Sequence, residues 1–268
     1  MSTLAERFLA LHTPGKPLVI PNPWDVASAR ILAKIGFRAL ATTSSGYAAS
    51  VGRRDGQVSR AEALDYAARI VRATDLPVSA DLERGFGAGP KEVAETYRLA
   101  ARIGLAGASI EDASGEADRP LYDIPRAADR VRAAAEAAHG TVQGLVLTAR
   151  AENFFHGSTD VSDVVARLQA YQEAGADVLY APGPTDLADI RAIVSSVDRP
   201  VNVLLRPGGP GVAELAEAGV ARVSVGGGPT FAVYGAFATA ARELFEHGTA
   251  GYGEAARAGH EATASFGA

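Results

Sequence analysis

Residues 78–113 read VSADLERGFGAGPKEVAETYRLAARIGLAGASIEDA, and this phrase decides the fold. Val78 to Ala80 are apolar or small and run straight into Asp81 and Glu83, after which Gly85, Gly87 and Gly89 loosen the backbone into a loop. From Pro90 the apolar positions fall at helical spacing, and Gly104 closes that stretch. Two residues later a second short apolar run, residues 106–110, ends on Glu111 and Asp112. Strand, loop, helix, glycine and strand follow in order, which is the sequence form of a βα unit. The question it raises is why two successive strands should each end on a pair of acids.

Outward from this phrase the same pattern repeats. Apolar runs rich in β-branched residues occur at 17–20, 38–42, 76–80, 106–110, 144–149, 176–181, 200–205 and 221–225. Alanine-rich stretches of helical period separate them, at 25–36, 59–73, 90–104, 124–140, 161–175, 185–197 and 211–219. Ser59 before Glu62 reads as a capping box, and Gly36, Gly104, Gly140, Gly175 and Gly219 close helices. Strands apolar on both faces and always joined by helices are parallel and buried. Eight such units predict a (β/α)8 TIM barrel, a single α/β domain over residues 1–268 with a helical extension from about residue 229. An open doubly wound sheet is the competing arrangement. It calls for a phosphate-binding glycine fingerprint after the first strand, where this chain has PNPWDVAS, residues 21–28.

The chain has 268 residues, 47% hydrophobic and 21% charged, enough to bury a substantial core. A net charge of −5 offers no basic surface to a phosphate backbone, so nucleic acid is not an expected partner. There is no cysteine, which excludes disulfides, thiolate metal sites and a cysteine nucleophile or acid. The opening MSTLAERFLALHTPGK, residues 1–16, suits a short amphipathic helix, since Glu6 and Arg7 interrupt its apolar residues. No run of about 18 apolar residues spans a membrane. The expectation is a soluble, cytoplasmic protein.

In a TIM barrel the chemistry sits just beyond the C-terminal strand ends. Those positions carry Trp24 and Asp25, then Thr43 to Gly46, Asp81 and Glu83, Glu111 and Asp112, Arg150 and Glu152, Pro182, Asn202, and Ser224 and Gly226. Acids after the third and fourth strands supply oxygen ligands alone, which favours a hard cation, Mg²⁺ or Mn²⁺, partly hydrated. Arg150 on the next strand suits a clamp for a carboxylate or phosphoryl group, and Gly46 offers backbone N–H groups to an anion. Each feature also has a plain structural reading. Asp-x-Glu is a common turn, Arg150 can pair with Glu152, Trp24 can be packing, His156 can be a loop residue, and the glycines of residues 207–211 and 225–229 can be turns. Convergence of acids and an arginine on one face of one barrel favours the functional reading.

The motifs PNPWDVASARILAKIGF (21–37), TTSSGYAASVGRRDG (42–56), DLERGFG (81–87), ASIEDA (108–113), TARAEN (148–153) and ARVSVGG (221–227) resemble, in order and over nearly the whole chain, those of the isocitrate lyase and phosphoenolpyruvate mutase superfamily. The resemblance implies a barrel that binds Mg²⁺ and a 2-oxo acid or its enolate. It places Asp81 nearest the metal, with Glu83 and Glu111 holding it largely through water; most members have aspartate where Glu83 stands. It assigns an active-site acid to Asp55 and substrate contacts to Ser45, Gly46 and Asn202; Trp24, just after the first strand, is expected as a further substrate contact. Arg150 takes the position that holds substrate and stabilises developing negative charge.

The departures narrow the reaction. Lyases of that family carry a Cys-Gly-His loop after the fourth strand and mutases carry lysine, asparagine and serine there, whereas residues 113–125 read ASGEADRPLYDIP. The strand-six glutamate of the lyases is absent from LYAPGPT, residues 179–185. The resemblance therefore points to a Mg²⁺-dependent carbon–carbon lyase, a decarboxylase or retro-aldol enzyme, acting on a small anionic 2-oxo or 3-carboxy acid. Proton transfer would fall to Asp55, Tyr122 or Asp123, with Arg119 on the mobile loop neutralising a distal carboxylate. A carbon–phosphorus mutase or hydrolase and a catalytically silent 2-oxo-acid-binding barrel are the alternatives. Apolar Phe231, Val233, Phe237 and Leu244 in the extension suit a neighbouring subunit. Family members often exchange this last helix, so a homodimer or homotetramer is expected.

Overall fold

A computed structural model describes residues 2–266. Eight parallel strands form the barrel: β1 (Leu18–Ile20), β2 (Leu40–Ala41), β3 (Val78–Asp81), β4 (Gly107–Glu111), β7 (Val146–Arg150), β8 (Val178–Tyr180), β9 (Val201–Leu204) and β10 (Arg222–Ser224). They hydrogen-bond in the order β1-β10-β9-β8-β7-β4-β3-β2. Between the two end strands the Ala41 N–H donates to the Pro21 carbonyl at 3.0 Å, which nearly closes the cylinder. Each apolar run of the sequence overlaps one of these strands, and β3, β4 and β7 run one residue further, onto Asp81, Glu111 and Arg150. The (β/α)8 barrel is the observed fold, and the open sheet is not.

The outer helices are α2 (Val26–Ile35), α4 (Arg60–Ala73), α5 (Pro90–Arg102), α6 (Ile124–His139), α7 (Val161–Glu173), α8 (Leu187–Ser195) and α9 (Val212–Glu217). Side-chain oxygens of Asp25, Ser59, Asp123, Asp160 and Asp186 cap five of them, satisfying N–H groups that a helix start leaves without partners. Gly36, Gly104, Gly175 and Gly219 take the left-handed conformation at helix ends. Gly140 closes α6 at an ordinary φ of −72°. The main core lies between strands and helices, with Leu40, Ile70, Tyr97, Leu147, Tyr171 and Leu179 fully buried. The amphipathic helix foreseen at the start is α1 (Leu4–Leu9), whose Phe8 plugs the N-terminal end of the barrel against Leu18, Ile20, Val146 and Val178.

Two segments differ from the sequence reading. Residues 44–50 form a short helix, α3 (Ser44–Ser50), because the Thr43 hydroxyl caps the Gly46 N–H. The loop after the fourth barrel strand is an antiparallel hairpin, β5 (Ala113–Glu116) with β6 (Arg119–Leu121). The Ser114 hydroxyl pins it by donating to the Arg119 carbonyl. After β10, α10 (Gly228–His247) buries only Thr230, leaving Phe237 71% and Phe245 91% exposed, while α11 (Gly253–Thr263) returns to touch α2. No helix among the described residues is long and apolar enough to cross a membrane.

Candidate active site

The opening phrase ends both strands on acids, and three of them, Asp81, Glu83 and Glu111, share one polar mouth. Asp81 closes β3 with its backbone N–H donating to Thr42 Oγ1 at 2.9 Å. Its Oδ2 accepts from the Ser44 hydroxyl at 3.0 Å, and its Oδ1 from the Glu83 N–H at 3.1 Å. Two residues on, Glu83 sits at φ 49°. This is a left-handed conformation that costs a residue with a Cβ about 1–2 kcal/mol. Gly85 (φ 81°) completes the reversal, and the Glu83 carbonyl is held by the Glu111 N–H at 3.0 Å.

Glu111 at the end of β4 is the register partner of Arg150 at the end of β7. The Arg150 guanidinium donates through Nε to Glu152 and lies 3.5 Å from Glu111 Oε2 and 3.8 Å from Asp81 Oδ2. The rings of Tyr180 and Phe155 stand 5.3 and 5.9 Å from its Cζ. A cavity of about 610 Å³ opens above, lined by Asp55, Asp81, Glu83, Glu111, Arg150 and Glu152 among others. Burial, then the neighbouring Asp81 and Asp55 charges, push Glu83 up to about 7. Burial first, with Glu152, Asp81 and Glu83 adding to it, holds Glu111 well above the usual carboxylate range. Asp55 is raised by burial and by Asp81. Burial opposes the charge of Arg150, yet Glu152 and Glu111 overcome it and keep the guanidinium protonated. Carboxyl groups outnumber guanidinium groups at this mouth.

Asp112, one residue beyond Glu111, turns the other way. It is 3% exposed and accepts from the Glu152 N–H (2.9 Å), Arg167 Nη1 (3.0 Å) and the Tyr171 hydroxyl (2.6 Å). The acids of the Glu-Asp pair therefore divide the work, since consecutive strand residues point to opposite faces. Glu111 faces the cavity, and Asp112 clamps the residue that pairs with Arg150.

Among the sequence-predicted site residues, Ser45, Asp55, Asp81, Glu83, Glu111 and Arg150 line this cavity together, as does His156. Asn202 lies deeper, in a smaller adjoining cavity. Gly46 and Trp24 stand behind the wall. The Gly46 N–H is spent on Thr43 Oγ1, and a Cβ there would lie 2.6 Å from both Thr230 Oγ1 and Thr43 Cγ2 and 3.4 Å from Trp24 Cβ. Close packing leaves no room for a Cβ here. Arg119 and Tyr122 stand outside the cavity. Arg119 is exposed on the hairpin, 3.3 Å from Glu116. Tyr122 is buried with its ring beneath Arg126 and Arg130, and Asp123 is occupied in capping α6.

Sequence reasoning missed Arg206, whose Cζ lies 5.8 Å from the Phe155 ring and whose Nη1 donates to the Gly183 carbonyl at 3.3 Å inside the same cavity. It also passed over Ser44, which orients Asp81, and gave Glu152 no role beyond pairing. Their position after strand ends was the available signal.

The phosphoenolpyruvate phosphomutase family model matches residues 8–245. A Burkholderia cenocepacia protein described as a lyase/mutase has 51% identity, covers 98% of this chain and 96% of its own, and superposes with a TM-score of 0.94. The Pseudomonas aeruginosa oxaloacetate decarboxylase is 31% identical over 234 residues, 84% of this chain and 79% of that protein. The crystal structure of 2,3-dimethylmalate lyase, described as a member of the PEP mutase/isocitrate lyase superfamily, is 30% identical, covers 94% and 90% of the two chains and gives a TM-score of 0.84. With a family match spanning most of its length and an acid-and-arginine mouth on a (β/α)8 barrel, the chain belongs to the phosphoenolpyruvate mutase/isocitrate lyase superfamily and is a lyase-type enzyme of it.

Proposed function

We propose that the protein is a divalent-metal-dependent carbon–carbon lyase acting on a small 2-oxo dicarboxylic acid, by decarboxylation or retro-aldol cleavage. The carrying observation is the Arg150 guanidinium held among Glu152, Glu111 and Asp81 at the mouth of the barrel. The surplus of buried carboxylates fits a hard dication. Asp81, Glu83 and Glu111 are the residues that would hold it. Among the described residues no three histidine, aspartate or glutamate side chains gather closely enough to enclose a metal ion by themselves; the ion proposed is Mg²⁺ or Mn²⁺, hard cations that commonly keep several waters. When bound, the ion supplies a Lewis acid for the oxygens of a 2-oxo acid.

The chain's own residues do the rest. Glu152 and Glu111 aim Arg150, which stabilises the negative charge that develops as the bond to C3 breaks. Ser45 donates to a substrate oxygen. Asp55, raised by burial and by the Asp81 charge, is the proton-transfer group that faces the cavity. Arg206, which lines the cavity and donates to the Gly183 carbonyl, takes the distal carboxylate. Decarboxylation of an oxaloacetate-like acid requires only the charge sink, consistent with a cavity without cysteine or lysine. The family's name favours one second reading, carbon–phosphorus chemistry on phosphoenolpyruvate-like compounds.

Assembly belongs to the same proposal. The exposed apolar face of α10 covers a second copy by helix exchange, giving a homodimer or dimer of dimers in the cytoplasm. The test of function is pyruvate formation from oxaloacetate with purified protein and Mg²⁺, above the spontaneous rate and abolished by chelation. Glyoxylate release from isocitrate would overturn the reading, and phosphorus NMR showing rearrangement of phosphoenolpyruvate would favour the second one.

A further inference from the structure

Beneath the main cavity lies a second one of about 60 Å³, which shares Asp81, Arg150 and Tyr180 with it and reaches down to Asn202, Ser224 and Arg222. Arg222 opens β10 and is 5% exposed, in the interior of the barrel. Its guanidinium donates to three neutral acceptors: Asn202 Oδ1 at 3.0 Å, Thr148 Oγ1 at 3.0 Å and His12 Nε2 at 3.3 Å. Among the described residues no carboxylate pairs with it. A buried charge without a counter-ion is costly, and an apolar residue would fill the same volume at less cost. The charge therefore calls for a reason.

Hydrogen-bond chemistry supplies one. His12 Nδ1 lies 3.0 Å from the Phe8 carbonyl and 3.2 Å from the Leu9 carbonyl. Both are acceptors only, so Nδ1 carries the proton and Nε2 is free to accept from Arg222. Guanidinium has donors only, so the atom of Asn202 that faces Arg222 must be its oxygen. The amide nitrogen is thereby forced to the opposite side, where it donates to Ser224 Oγ at 3.0 Å and retains one N–H. Burial pulls His12 down to about 3, which keeps the ring neutral and this order of donors intact.

We propose that Arg222 is a positioning residue: held by His12 and Thr148, it locks the Asn202 amide so that the NH₂ edge, and not the carbonyl, is turned toward Ser224 at the C-terminal end of β10, in the small cavity that adjoins the substrate cavity, and it polarises that amide as a donor to substrate anions. The proposal rests on the lyase reading for the identity of the anion. The orientation of the amide stands apart from it.

Two readouts test it on the full-length protein. One is the affinity for oxalate with Mg²⁺, and the other is the side-chain amide NMR signals of Asn202. Arg222→Met is expected to weaken oxalate binding at least tenfold and to shift or broaden the Asn202 signals, with Arg222→Lys recovering part of the affinity. Asn202→Asp places an anion beside the buried guanidinium, so it should raise the thermal midpoint while weakening oxalate at least tenfold. A merely structural network predicts instead that this stabilised variant binds as well as wild type, and that outcome would overturn the proposal. Unchanged Asn202 signals in Arg222→Met would overturn it too. If wild type itself binds no oxalate with Mg²⁺, the lyase reading fails, and the ligand-free amide signals still decide the positioning role.

Discussion

Glu111 and Arg150 are register partners on adjacent strands, with Oε2 and Nη1 3.5 Å apart at the mouth of the barrel. Pairing through the sheet fixes both backbones, so the guanidinium is aimed before any substrate arrives. Arg150→Lys keeps the charge but loses the fork that reaches Glu152, Glu111 and Asp81 together. We expect kcat to fall by roughly 10²–10³-fold with the thermal midpoint nearly unchanged, the size of effect seen when one oxyanion donor is lost. A variant with wild-type kcat in steady-state assays would remove Arg150 from the chemistry.

Asp81 accepts from Ser44 and Glu83 and faces the cavity. Asp81→Ala should abolish the Mg²⁺-dependent part of oxalate binding while leaving the fold intact. Calorimetry with and without Mg²⁺ reads this directly, and equal affinity in the variant and wild type would reject the assignment of the metal to this acid.

Asp112 is a structural acid, satisfied by Arg167, Tyr171 and the Glu152 N–H. Removing it leaves a buried guanidinium without one of its partners, so Asp112→Ala should cost about 3–5 kcal/mol in urea unfolding. Tyr171→Phe removes one hydrogen bond and should cost about 1 kcal/mol. Equal, small losses for both would mean that the cluster is not coupled.

Two histidines titrate in opposite senses. His139 is raised, chiefly by its hydrogen bond to Asp177 at 2.9 Å. Its stabilising contribution is therefore complete below the unfolded value of 6.5 and is lost as pH rises through the folded value. His12 is lowered to about 3 by burial, so between 6.5 and about 3 the unfolded chain binds the extra proton and stability falls as pH falls. Urea titrations across pH should show His139→Asn flattening only the slope above 6.5. A change confined to acid pH would contradict the assignment.

Phe237 and Phe245 are the most exposed large apolar residues of α10, which buries only Thr230 against its own barrel. Light scattering should give a dimer or tetramer, and Phe237→Glu with Phe245→Glu should shift the mass toward monomer. A monomeric wild type at micromolar concentration would refute subunit exchange through this helix.

How much of this was legible in the chain follows from the range of the interactions. Parallel strands are buried on both faces, so runs such as residues 144–149 and 176–181 stand out as continuous apolar segments, and helix ends such as Gly104 announce themselves by local backbone geometry. Once eight βα units were counted, the topology alone carried Asp81, Glu83, Glu111 and Arg150 to one rim, because barrel strands all end on the same side. The direction of side chains in irregular segments was another matter. Arg119 and Tyr122 read as substrate-side residues of the loop after the fourth barrel strand, yet that loop pairs Ala113 with Leu121 in a hairpin and both residues lie outside the cavity. Gly46 read as offering its N–H to an anion, and only the tertiary structure brings Thr230, 184 positions later, so close that no Cβ fits there. The charge on Arg222 gained meaning only when folding set His12, Thr148 and Asn202 around it. Periodicity and chain reversal are local, and so the sequence determined the barrel and its rim. Which polar atoms meet depends on partners brought together from distant strands, and only the tertiary structure decided that.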